Sequence, residues 1–370
     1  MGKKLKEYFP LIQTRQEVLE RIEESRELKE LFKSWKQEYQ EQFLDFCTGM
    51  KGVKILYDSF FKYVFNPDCH RDRLNTLLSI LMKQEVKVKE VLANESIQVA
   101  AEHSLLIMDI VVQMEDGSIA NVEVQKIGYQ FPGQRAACYS ADLLLRQYKR
   151  VKDFTEANDQ PFSYGSIQNV YTIVFFESSL SQFKEFPRDY MHYFEAKSDT
   201  GLELDLLQKY LFIPLDIFRK IMDNKSITTE VEAWLTFLST DDPDRIISLF
   251  TEYPEFKSLY EDVYRLCRNT EEVMHMFSEE LAILDKNTVQ YMIDEMQVEL
   301  DRKDSELAEK DSKLAEKDSE LAEKDSKLAE KDSKLAESAR QLQEKDKSLQ
   351  EKDEEIKRLR AELERQKNMK

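Results

Sequence analysis

From residue 301 to residue 370 the chain repeats itself every seven residues, and that repeat decides where a globular core cannot lie. SELAEKD, SKLAEKD, SELAEKD, SKLAEKD and SKLAESA follow one another, and Leu307, Leu314, Leu321, Leu328, Leu335, Leu342, Leu349, Ile356 and Leu363 mark one position throughout. The segment carries 21 acidic and 19 basic side chains, too polar a composition to bury a core. A coiled-coil seam wants two apolar positions per heptad. With Leu at d, position a is mostly Asp (311, 318, 325, 332, 346, 353), and Ala sits beside Leu at e. This half-built seam predicts a long coiled-coil-like helix with weak or no self-association of its own, and leaves self-association or a protein partner through residues 301–370 as open alternatives. The core must come from residues 1–300.

Charge is distributed unevenly over that remainder. The net charge of −18 argues against polyanions as partners, but residues 51–152 hold 14 basic and 12 acidic groups, whereas 153–300 hold 12 and 29. A polynucleotide could approach only the first of these regions, and the rest would repel it, so DNA binding is expected to be weak and salt-sensitive. Cys47, Cys69, Cys138 and Cys267 form no CxxC pair, which indicates neither a disulfide framework nor a zinc site. The start, MGKKLKEYFP, lacks the apolar stretch of a signal peptide, and no apolar run approaches 18 residues. The expectation is a cytoplasmic protein that does not span a membrane.

Periodicity divides the core region. Residues 14–48 read as one helix, with Val18, Ile22, Leu28, Leu31, Phe32 and Trp35 at helical spacing and Thr14 with Glu17 as a capping box. Gly49 and Gly52 supply a stop and a turn. Residues 55–65 are helix-like up to Asn66-Pro67, and a second helix over 71–84 presents Leu74, Leu77, Leu78 and Leu81. The period then changes, and 86–92, 104–113 and 118–125 read as strands. Helix returns at 134–152, followed by a polar loop over 153–168 and a strand over 169–177, as in a crossover returning to the same sheet. Residues 178–225 have no clear pattern. Residues 226–300 look wholly helical, with breaks at Asp242-Pro243 and Tyr253-Pro254.

The chemistry concentrates in the hairpin. If Glu115-Asp116-Gly117 is a three-residue loop, Met114 faces Ser118 and paired residue numbers sum to 232. Asp109 then faces Glu123 on the same side of the sheet, with Cβ atoms about 4.5–5.5 Å apart. Like charges so placed repel unless something compensates, and Asp109 interrupts the apolar run SLLIMDIVV, where a buried acid needs a partner. Magnesium answers that need, since it takes one or two carboxylates plus water and phosphate oxygens. Gln125 shares the face of Glu123, and Lys126 points to the other. Against this stands the plainer alternative of solvated surface acids.

Taken in order, Asp58-Ser-Phe-Phe-Lys62, IMDIVV around Asp109, the Asp-Gly turn, NVEVQ around Glu123, and FPGQRAACYSADLLLRQY resemble the PD-(D/E)XK nuclease family transposases, which include recombination-promoting nucleases. The resemblance covers about residues 50–225. It implies an α/β (α+β) fold with a restriction-endonuclease-like αβββαβ core, and Mg2+ held by Asp109 and Glu123, with Mn2+ able to substitute. Gln125 stands where that family usually has the catalytic Lys. Asp58 on the first core helix is an accessory acid on this mapping, and Arg135 and Tyr139 are phosphate contacts. Arg135, Tyr139, Asp142 and Arg146 also share one helix face, which an ordinary Arg–Asp pair would explain equally well. The segment from Arg146 to Lys152 is the best candidate for a patch that contacts a phosphate backbone, although as a solvated basic helix end it needs no such role.

The resulting organisation is an N-terminal helical extension (1–50), a nuclease-like core (51–225), a helical region (226–300) and a heptad-repeat helix (301–370). The activity implied is a magnesium-dependent DNA endonuclease linked to transposition or recombination. The alternative is an inactive nuclease fold serving as an interaction module, favoured by the acidity of 153–300 and by Gln125.

Overall fold

Local signals account for most element boundaries in the structure, a computed structural model that describes residues 5–92, 110–126 and 132–367. Thr14 and Glu17 form the expected capping box at the start of α1 (Arg15–Glu24). The single helix expected over 14–48 is instead three. Ser25 turns extended and caps α2 (Arg26–Ser34) by accepting a hydrogen bond from the Leu28 amide. Trp35 is extended too, burying its ring against Phe43 and Phe277 before α3 (Gln37–Cys47) begins. Helical spacing survives both breaks because each short helix keeps an apolar stripe, so periodicity alone does not reveal them. Gly49, with φ +67°, ends this segment.

The expected αβββαβ order is present. Asn66 caps α5 (Pro67–Met82), which follows α4 (Asp58–Val64) and buries Leu74, Leu77, Leu78 and Leu81. Then come β1 (Val88–Val91), β2 (Ile110–Met114), β3 (Ile119–Gln125), α6 (Pro132–Ala157) and β4 (Val170–Phe176). Helix α6 runs into the stretch expected to be loop, stopping at Ala157 before Asp159 turns left-handed. The unpatterned residues 178–225 contain α7 (Ser181–Lys184), β5 (His192–Glu195), β6 (Gln208–Pro214) and α8 (Leu215–Ile221). Two strands are thereby added to one six-stranded sheet of order β1-β2-β3-β4-β6-β5. β4 runs parallel to both β3 and β6, and the other pairs are antiparallel.

The hairpin has the predicted register. Ile110 pairs with Val122, Val111 with Asn121, Val112 with Ala120 and Gln113 with Ile119, each summing to 232. Gly117 takes φ +88° and donates to the Met114 carbonyl, while the Met114 amide donates to Ser118 O at 2.8 Å. The Ser118 amide also donates to Asp116 Oδ1 at 2.9 Å, so the loop satisfies its own backbone.

Helices α9 (Glu230–Ser239), α10 (Pro243–Glu252), α11 (Glu255–Cys267) and α12 (Thr270–Lys367) complete the chain, with the expected break at Asp242, which caps α10. One hydrophobic cluster joins Trp35 and Phe43, α4, α5, the Ala120–Val122 side of the sheet, Phe237, Tyr260 and Phe277. Smaller clusters lie on the other side of the sheet, beneath α6.

Contacts divide the chain into two units, Met1–Glu295 and Met296–Lys370. The second unit is helical to Lys367, and its heptad leucines are all exposed. Ala, Leu, Glu and Lys favour helix intrinsically. Pairs such as Glu309–Lys313, Glu323–Lys327 and Glu330–Lys334, each 2.6 Å apart, each add a few tenths of a kcal/mol. Among the described residues no helix is long and apolar enough to cross a membrane.

Candidate functional site

Side chains alternate across a strand, and on β3 this separates two chemistries. Ala120 and Val122 face the main hydrophobic cluster. Asn121, Glu123 and Gln125 occupy the other side, beneath α6, and all three are buried. Glu123 is only 3% exposed. Its Oε1 accepts a hydrogen bond from Gln125 Nε2 at 3.0 Å and another from Arg135 Nε at 3.3 Å. Burial raises the Glu123 carboxyl above the usual carboxylate range, while the Arg135 charge and the bonds from Gln125 and Arg135 pull it back.

Arg135 comes from the first turns of α6, immediately above the end of β3, and is 23% exposed as a side chain. Its guanidinium lies 5.1 Å from the centre of the Tyr139 ring, one helical turn on. The two residues expected to meet phosphate are thus adjacent to each other, and Arg135 also reaches Glu123. Tyr139 itself is fully buried. Further along α6, Asp142 and Arg146 make the plain i,i+4 pair at 2.9 Å. The basic helix end is largely engaged. Gln147 donates to Gly117 O and accepts from the Gln168 amide, both at 2.9 Å, and Arg150 bonds Glu90 at 2.5 Å. Lys149 carries no ion pair among the described residues.

Asp109 lies outside the described residues, one position before β2 begins at Ile110. Asp58 is described. It bonds Lys62 at 2.9 Å, and its amide donates to Glu280 Oε2 at 2.9 Å. Glu280, from α12, is fully buried and ion-paired with Lys126, whose ammonium sits 4.5 Å from the centre of the Tyr57 ring. Lys126 therefore belongs with α4 and α12, on the side of the sheet away from Glu123, as the strand period predicts. Asp58 is tied to that cluster, and no bond joins it to Glu123 among the described residues.

Whether a divalent cation suits this row of side chains can be asked of the oxygens. Glu123 Oε2 and Gln125 Oε1 are both buried and have no hydrogen-bond partner. Hard cations such as magnesium take oxygen ligands of this kind, so the donor set fits. Among the described residues no group of three or more His, Cys, Asp or Glu side chains could hold a metal ion.

Two features here escape sequence reading. Asn121 sits in the NVEVQ motif but carries no charge to draw notice, and Glu280 lies 157 residues beyond Glu123 with no motif of its own.

A hairpin with a buried acid on its second strand, followed by a crossover helix to a parallel neighbour, matches the restriction-endonuclease-like class of nuclease folds. The family model for PD-(D/E)XK nuclease family transposases matches residues 55–295, and the chain belongs to that family. The match continues through α9, α10 and α11. No curated protein and no solved structure matches the chain.

Proposed function

We propose that this chain is a magnesium-dependent DNA endonuclease that hydrolyses phosphodiester bonds in a transposition or recombination process. The observation that carries the reading is Glu123, a buried motif acid with one oxygen unpartnered and Gln125 beside it. In this reading Asp109 and Glu123 hold Mg2+, which Mn2+ can replace. The bound ion would lower the pKa of a coordinated water and offset charge developing on the phosphate. Gln125 orients that water by accepting a hydrogen bond from it at the free carbonyl oxygen, or a phosphate oxygen by donating from its amide nitrogen. Arg135, partly exposed at the start of α6, meets the incoming phosphate, with Tyr139 holding its guanidinium in place. Asp58 is an accessory acid acting from α4. DNA association is weak and falls with salt, because the net charge is −18. The heptad helix serves self-association or a protein partner, and the protein works in the cytoplasm.

A second reading has its own observation. Arg135 and Gln125 already satisfy Glu123 Oε1, and no lysine occupies position 125. An inactive nuclease fold acting as an interaction module would look like this. A plasmid-nicking assay with magnesium separates the two. Wild-type protein should nick, and Asp109→Ala and Glu123→Ala should not. Absence of nicking, together with an unfolding midpoint indifferent to magnesium and manganese, would establish the inactive module.

A further inference from the structure

The side of the sheet beneath α6 contains polar groups that the proposed site does not use. Asn121 is 0% exposed, and neither its amide nitrogen nor its amide oxygen has a hydrogen-bond partner. Thr172, directly across on β4 in the parallel register, is also 0% exposed, and its hydroxyl is equally unpartnered. Two residues along β3, Glu123 Oε2 is in the same condition. Neighbouring strands lie about 4.8 Å apart, and positions i and i+2 about 6.6 Å apart. Asn121, Thr172 and Glu123 therefore form a small triangle on one buried face.

Buried polar groups are almost always hydrogen-bonded, and leaving an amide and a hydroxyl bare side by side is costly. On the other face of the same strands the matching positions are Ala120, Val122, Ile173 and Phe175, which bury no side-chain polar atom. An apolar pair would fill the Asn121–Thr172 position just as well if packing were its only purpose. An internal water typically makes about three hydrogen bonds to such otherwise unsatisfied groups, which is the number of partners that the triangle offers.

We infer that a bound water bridges Asn121 and Thr172 to Glu123 Oε2, and that Asn121 is thereby a positioning residue for the candidate metal ligand. Through the water, Asn121 and Thr172 hold one lone pair of Glu123 Oε2 from behind and leave its other lone pair for the ion, while Gln125 and Arg135 hold Oε1. The functional half of this inference rests on the metal-site reading. The presence of the water does not.

Two measurements test it. The first is a crystal structure of the full chain at a resolution that defines water. Density bonded to Asn121 and Thr172 is expected, and a dry site, or an Asn121 amide bonded directly to protein, overturns the inference. The second is calorimetric titration with manganese alone. Asn121→Leu and Thr172→Val each take one hydrogen-bond partner from the bridging water and should lower the unfolding midpoint only modestly, with the chain still folded. Manganese affinity should nevertheless fall roughly 10- to 100-fold, the usual effect of losing a group that orients a ligand from behind. Asn121→Ser, which keeps a hydrogen-bonding group and leaves room for water, should retain affinity. Wild-type affinity in Asn121→Leu would refute the positioning role. If wild-type protein binds no manganese, the metal reading fails instead, and the crystallographic water still decides the structural claim.

Discussion

The two sides of β3 and β4 are made from alternating residues of the same strands, yet they follow opposite rules. Ala120, Val122, Ile173 and Phe175 join one large hydrophobic cluster fed by α4, α5 and the C-terminal helices. Asn121, Glu123, Gln125 and Thr172, pointing the other way, keep polar atoms out of water, and several lack partners. One face is apolar throughout these positions, and the other sets buried polar groups among the apolar side chains of Ile119, Val170, Val174 and Phe176. The contrast is sharpest in a substitution on the apolar side. Phe175→Ala, at a fully buried ring, should cost about 3–5 kcal/mol by denaturant unfolding. A cost below about 1 kcal/mol would mean that this face is not the one that stabilises the sheet.

The polar face should instead respond to pH and metal. Burial raises the Glu123 carboxyl, so its protonated form is favoured in the folded state. What Glu123 contributes to stability is therefore present at low pH and lost as pH rises through its raised value. The stability of wild type relative to Glu123→Gln should fall across that window. Magnesium at a hundredfold excess over its dissociation constant should return about 2.7 kcal/mol at neutral pH to wild type and nothing to the variant. Equal responses from the two proteins would remove Glu123 from any metal site.

Much of this contrast was legible in the sequence. The 232 register follows from one turn, because Gly117 in a three-residue loop fixes every pair behind it, and four observed pairs obey it. The αβββαβ order followed from the change of period after residue 84. The breaks at Ser25 and Trp35 did not show, since an N-cap serine inside a polar run looks like any surface residue. β5 and β6 were also missed, because their burial is lopsided. His192 to Glu195 lie on an open edge, whereas β6 is covered only toward its end. Glu123 and Gln125 were found by spacing on one strand. The Lys126–Glu280 pair and the Asn121–Thr172 neighbours arise from contacts between distant segments, which no local period encodes.

Gln147 tests whether every polar group under α6 carries a load. Unlike Asn121, it has both amide atoms engaged, donating to Gly117 O and accepting from the Gln168 amide. It ties α6 to the hairpin turn and to the approach to β4. Gln147→Leu would leave a carbonyl and an amide without partners and should cost about 1–3 kcal/mol, with manganese affinity unchanged. A fall in affinity with no loss of stability would extend the positioning network along the whole helix.

The smallest effect is expected at the rim of the same helix. Arg150 bonds Glu90 on β1 and Gln113 on β2, but both members of the ion pair remain more than two-fifths exposed. Solvent screens such pairs, and Arg150→Ala should change stability by less than about 1 kcal/mol. If this basic helix end nevertheless touches a phosphate backbone, removing one cation should lower the slope of log affinity against log salt by about one unit, for any DNA sequence. An unchanged slope would confine Arg150 to its pairing with Glu90. It would leave Arg135, beside Glu123, and Lys149, which carries no ion pair among the described residues, as cations on α6 with a claim on substrate.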